Sequence, residues 1–136
     1  MKREGDGATP RGVFGIMGVY FNAQRGRQPR TQLPLSIIGP DDGWCDAVGD
    51  RNYNRPVQHP YRASAERMFR CDPLYDVVVV LDYNVCPRVQ GRGSAIFVHV
   101  ARADHQPTEG CIALAASHLR RLLAHVRPTT RVSVGR

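Results

Sequence analysis

Two side chains of this chain are equipped for nucleophilic chemistry and lie close enough in sequence to meet. They are His99 and Cys111, twelve residues apart. A thiol at its ordinary pKa of about 8.5 is only a few per cent ionised at neutral pH, so it needs an imidazole to take its proton or oriented N–H groups to hold the anion. Gly110, immediately before the cysteine, permits a sharp turn and close approach of a substrate. The N–H groups of Gly110 and Cys111 could then face a developing oxyanion. The same residues also have a plain structural reading. A cysteine before an apolar run is usually a small buried hydrophobe, and local Cys–His signatures do not transfer between families.

The elements around this pair read as mainly β. Val13 to Phe21 is apolar, rich in β-formers and carries two glycines, which predicts a strand with a bulge. Leu33 to Ile38, interrupted by Pro34, predicts an edge strand. Tyr75 to Tyr83 holds four consecutive valines and a leucine, the composition of a strand buried on both faces. Ala95 to Val100 alternates, with Ile96 and Val98 on one face and Phe97 and His99 on the other. Ala101 to Glu109 is the loop from histidine to cysteine. Ala115 to Val126 predicts one helix with Leu119, Leu122, Leu123 and Val126 inward, ended by Pro128. Arg131 to Val134 predicts a closing strand. Ser64 to Phe69 reads as a helical turn capped by Ser64, and Val57 to Tyr61 as a connector. Gly39 to Arg55 has little periodicity and reads as a long loop. Its aromatics argue against disorder. It is expected either as a wall over the Cys–His pair or as a secondary core plugged by Trp44. Together these elements predict a β-sandwich or barrel with one supporting C-terminal helix.

Composition narrows the function classes. The chain of 136 residues is the length of a single domain, 42% hydrophobic and 23% charged, as in an ordinary globular protein. It has no apolar run long enough for a transmembrane helix, and its first residues do not form a signal peptide. The net charge is +7, and 18 of the 19 basic residues are arginine. Arginine pairs carboxylates bidentately, which suits anionic wall polymers and nucleic acid alike. The scatter of the basic residues argues against nucleic acid. Among the four cysteines there is no C-x-x-C. Cys71 and Cys86 are the closest pair for a disulfide, and Cys45 is left without an evident partner. A zinc set of Cys45, His59, Cys71 and His99 lacks ligand spacing, and the aspartates of the Gly39–Arg55 stretch lack the pattern of a calcium loop.

Two blocks of sequence carry a resemblance. Thr108-Glu109-Gly110-Cys111-Ile112, with His99 upstream, is similar to the Ser/Thr-His-Gly-Cys-apolar signature of the YkuD-type L,D-transpeptidases. Glu4-Gly5-Asp6-Gly7-Ala8-Thr9-Pro10-Arg11-Gly12 is similar to the G-D-x-x-T-P-x-G segment near the start of the same domains. Three departures stand out, one being a His99-to-Cys111 gap a little shorter than the family's. Glu109 replaces the histidine before Gly-Cys, and Ala113 replaces the usual Arg or Asn. The resemblance implies a single catalytic domain over residues 1–136 that starts almost inside the first block and lacks an N-terminal strand, an expectation best met by truncation.

What the resemblance implies is a β-rich enzyme of peptidoglycan cross-linking. Cys111 would attack the carbonyl of the L-centre of diaminopimelate in a donor stem peptide and expel D-alanine. An acceptor amine would then resolve the thioester. His99 would move the protons, oriented by the Val100 carbonyl, and the Gly110 and Cys111 N–H groups would form the oxyanion hole. Thr108, Glu109, Arg102, Trp44, Arg51, Tyr53 and Asn54 are the substrate-binding candidates. Trp44 and Tyr53 would pack on the stem peptide, and Arg51 and Asn54 would hydrogen-bond it. No metal and no cofactor is implied. The acceptor leaves a 1,3 link and a 3,3 link open, water would make the same residues an L,D-carboxypeptidase, and D-amino-acid exchange is a further outcome. Carbapenems would add covalently to Cys111, and an activated thiol would alkylate well below pH 8. The implied location is the periplasm or envelope of a Gram-negative bacterium. The competing class is a non-catalytic wall- or nucleic-acid-binding domain.

Overall fold

The run of valines lies at the centre of the main sheet. The computed structural model describes residues 2–102 and 108–135. In chain order the strands are β1 (Gly12–Phe21), β2 (Leu35–Ile37), β3 (Asp42–Cys45), β4 (Pro56–Gln58), β5 (Ala65–Arg67), β6 (Val77–Leu81), β7 (Phe97–Val100), β8 (Ile112–Leu114) and β9 (Arg131–Val134). The single α-helix among the described residues, α1, spans Ala116–His125, and a 3-10 turn, Pro73–Tyr75, leads into β6. The main sheet runs β2-β1-β6-β7-β8, with β9 paired to the first half of β1. A smaller sheet runs β4-β3-β5. The fold is mainly β with one helix, as the sequence pattern predicts.

Every residue of β6 is buried, and the strand alternation divides its side chains between two cores. Val77, Val79 and Leu81, with Ile96, Val98 and Val100, pack against Leu119, Leu123 and Val126 of the helix and its end. Val78, Val80 and Phe97 face the other way, toward Trp44, Met68, Leu74 and Tyr75. The main sheet is therefore the middle layer, and apolar side chains on both its faces exclude water. The bulge expected in β1 falls at Met17, where the pairing with β6 shifts between Ile16 and Gly18. Pro34 precedes the edge strand β2, which runs parallel to β1.

Several readings of the sequence are corrected, among them the connector Val57 to Tyr61, which begins inside strand β4. Ser64 to Phe69 is no helical turn. Ala65–Arg67 is strand β5, paired antiparallel to β3, and Met68 beyond it is buried. Tertiary pairing overrides the helix propensity of Ala, Glu, Arg and Met. Gly39 to Arg55 is no open wall, because Asp42–Cys45 forms the middle strand of the small sheet. In that strand a Cβ on Gly43 would stand 2.5 Å from the His59 ring. Finally, Leu122 is 47% exposed, so the inward stripe of the helix is narrower than its leucines suggest. All four cysteines are free thiols, with Cys71 and Cys86 on the surface, so the Cys71–Cys86 disulfide does not form here.

Candidate active site

Strand pairing brings His99 and Cys111 to one place. β7 lies between β6 and β8, with His99 opposite Val78 on one side and Ala113 on the other. The parallel register of Val98 with Ile112 sets Cys111 beside Phe97, whose N–H donates to the Cys111 Sγ at 3.4 Å. Both residues line a cavity of ≈ 390 Å³, together with Glu66, Arg70, Tyr75, Asp46 and Ala95 among others.

His99 is buried, and its Nδ1 lies 2.9 Å from the Val100 carbonyl. A carbonyl only accepts, so Nδ1 carries the hydrogen and a neutral ring keeps Nε2 as its basic nitrogen. Burial pushes the His99 pKa down; the Val100 bond opposes this, and the Arg102 and Arg70 charges add to it. The Tyr75 ring packs edge-on against His99 with centroids 5.5 Å apart. The hydroxyl of Tyr75 donates to the Glu66 carboxyl, and the Arg70 guanidinium carbon lies over the Tyr75 ring, 5.5 Å from its centroid. Burial raises the Glu66 pKa, and Tyr75 partly offsets that rise.

Cys111 is held as a neutral thiol. Its Sγ donates to the Ala95 carbonyl at 3.1 Å. Burial pushes its pKa up to about 12; the Phe97 N–H lowers it, and the Glu66 and Glu109 carboxylates raise it further. Among the described residues no hydrogen bond joins Cys111 to His99. The geometry runs against a thiol that alkylates well below pH 8: an apolar pocket and an acceptor carbonyl both favour the protonated form. Gly110 is buried with φ +92, and a Cβ there would stand 2.8 Å from the Ala8 carbonyl oxygen. The close approach that demands glycine is thus made by the N-terminal block itself, which braces the turn before Cys111.

The other predicted residues divide in two. Thr108, Glu109 and Arg102 line the cavity, although the Thr108 hydroxyl is engaged by the Cys111 carbonyl and closes the turn. Trp44, Tyr53 and Asn54 are buried inside the protein. Trp44 packs edge-on against Phe97, and the Tyr53 hydroxyl donates to Glu4 at 2.6 Å and accepts from the Gly93 N–H at 2.9 Å. Arg51 is exposed and outside the cavity lining. The proposed wall of aromatic side chains is a core instead, because β3 pairs on both its edges and turns Trp44 inward. Residues 103–107 of the loop from histidine to cysteine lie outside the described residues. Sequence reasoning missed Glu66, Tyr75, Arg70 and Asp46. Reading residues 64–69 as strand would have set Glu66 and Met68 on one face; no pattern pointed to the others.

The family model of the YkuD domain, the L,D-transpeptidase catalytic domain, matches residues 1–134. The chain belongs to this family. No curated protein and no solved structure gives a match. No helix among the described residues is long and apolar enough to cross a membrane.

Proposed function

We propose that this chain is a peptidoglycan L,D-transpeptidase that cross-links stem peptides through a Cys111 thioester. The observation that carries the reading is the shared cavity of Cys111 and His99, with the Nδ1 hydrogen of His99 committed to the Val100 carbonyl so that Nε2 is the base. The neutral ground state of both groups favours general-base attack over a preformed ion pair. In the resting geometry the S–H points at Ala95, so attack begins with a rotation of the thiol toward Nε2. Sulfur then bonds to the carbonyl carbon of the diaminopimelate L-centre as His99 takes the proton. Collapse of the tetrahedral adduct expels D-alanine, whose amine takes that proton, and leaves a thioester. The N–H groups of Gly110 and Cys111 hold the oxyanion. An acceptor amine attacks the thioester, His99 receives its proton, and the thiol is restored.

The carboxylates of Asp46, Glu66 and Glu109 line the same cavity, a setting that favours an ammonium-bearing acceptor over water. Arg102 is available to a stem carboxylate. The substrate is the wall of a bacterial envelope, so the protein works in the periplasm or its equivalent. Mass spectrometry of muropeptides tests the reading, after incubation with tetrapeptide-rich sacculi of the diaminopimelate type. New dimers lacking one D-alanine, absent with Cys111→Ala, are expected, and fragment ions then assign the 1,3 or the 3,3 link. Tripeptide monomers alone would make the protein an L,D-carboxypeptidase. No change with either protein would leave a binding domain.

A further inference from the structure

Asn54 turns its amide entirely inward, and what it holds leads to the cysteine. The residue is buried, and its Oδ1 accepts from the Trp44 Nε1 at 2.9 Å and from the Ala95 N–H at 3.1 Å. Its Nδ2 donates to the carbonyls of Tyr83 at 3.2 Å and Asn84 at 2.8 Å. The two donors and two acceptor sites of the amide are all engaged. Ala95 has φ +53, a left-handed conformation that a residue with a Cβ adopts only when its surroundings impose it. That turn aims the Ala95 carbonyl at the Cys111 Sγ, 3.1 Å away, while the Phe97 N–H approaches the sulfur at 3.4 Å. An acceptor and a donor two residues apart thus flank one thiol.

We propose that Asn54 is a positioning residue for Cys111: it fixes the left-handed turn at Ala95, and the Ala95 carbonyl so aimed holds the thiol protonated and in one rotamer beside His99. The catalytic consequence rests on the reading of Cys111 as nucleophile, but the coupling from Asn54 to the thiol does not. Loss of the anchor lets Ala95 relax to an extended conformation, so the thiol loses the acceptor that favours its protonated form and keeps the Phe97 donor that favours the anion. The ionisable groups facing the sulfur, Glu66, Tyr75, His99, Glu109 and Lys2, remain as they are.

The test uses iodoacetamide on the whole chain in a Cys71→Ser, Cys86→Ser background, with alkylation of Cys111 followed by peptide mass spectrometry from pH 7 to 10. Asn54→Ala is expected to alkylate about fivefold faster at each pH, the effect of one lost hydrogen bond, and to lower kcat with KM unchanged. Ala95→Gly, which takes a positive φ freely, is expected to stay within about twofold of the parent. Ala95→Val, which resists it, is expected to follow Asn54→Ala. A lower melting temperature for Asn54→Ala with an unchanged alkylation profile would make Asn54 merely structural and overturn the proposal. If Asn54→Ala does not fold, an unchanged profile in Ala95→Val overturns it equally. The transpeptidase reading fails separately, through unchanged cross-linking by Cys111→Ala.

Discussion

The two faces of the main sheet are built to different standards. On the helix face, Val77, Val79, Leu81, Ile96, Val98 and Val100 meet leucines of α1 in an apolar contact whose buried members are all aliphatic or aromatic hydrocarbons. On the other face, Val78, Val80 and Phe97 begin an equally buried layer, but the next residue along β7 on that side is His99. The layer then opens into a cavity lined by carboxylates, arginines and a thiol. The first face stabilises by burial alone. The second gives up apolar contact to hold an imidazole and a thiol beside charged neighbours, an arrangement with a cost in stability.

Substitutions can break that contrast, and the largest effects fall on the cavity face. Cys111→Ala should abolish cross-linking, a loss of at least about a thousandfold, without a lower melting temperature. Gly110→Ala should reduce activity by about a hundredfold, because its Cβ would collide with the Ala8 carbonyl and φ +92 disfavours any side chain; steady-state kinetics on a soluble tetrapeptide donor measures this. On the helix face the effect should be thermodynamic. Leu119→Ala should cost about 2–5 kcal/mol in chemical denaturation and leave the Cys111 alkylation profile of the folded protein unchanged.

Smaller effects sharpen the picture. Tyr75→Phe removes the hydroxyl that Glu66 accepts from and should cost about 1 kcal/mol. In the pH–rate profile, His99 must be neutral to act as base. Its pKa is depressed by burial, so activity should fall only as the pH drops below about 6.5, its ordinary value. The stability held by the neutral ring has the same sign: present above the ordinary value and lost as pH falls through the lower one. The thiol, pushed up to about 12, should give no alkaline inflection near pH 8 to 9. A thiolate-dependent enzyme would show one.

The helix face was legible in the sequence almost residue by residue, because it obeys alternation and helical spacing. The valine run, the two faces of Ala95 to Val100 and the inward Leu119 and Leu123 all follow from those periods. His99, Cys111 and Gly110 were legible as chemistry. The small sheet was not. Its strands are three or four residues long, too short for a period to register, and β5 is composed of helix formers. Trp44 therefore read equally well as wall and as plug, and the structure makes it a plug. Asn54 reads as a hydrogen-bonding group for the stem peptide, but its partners Trp44, Tyr83, Asn84 and Ala95 lie 10, 29, 30 and 41 residues away in sequence, a relation no local pattern carries.

The central claim is a covalent bond to one sulfur, and intact-protein mass spectrometry tests it most directly. The protein is mixed with a diaminopimelate tetrapeptide donor, or with a carbapenem, and quenched in acid. The expected result is a mass gain equal to the donor less D-alanine, or to the intact carbapenem, located on Cys111 and absent from Cys111→Ala. An adduct on another residue, or cross-linked product formed by Cys111→Ala, would contradict it.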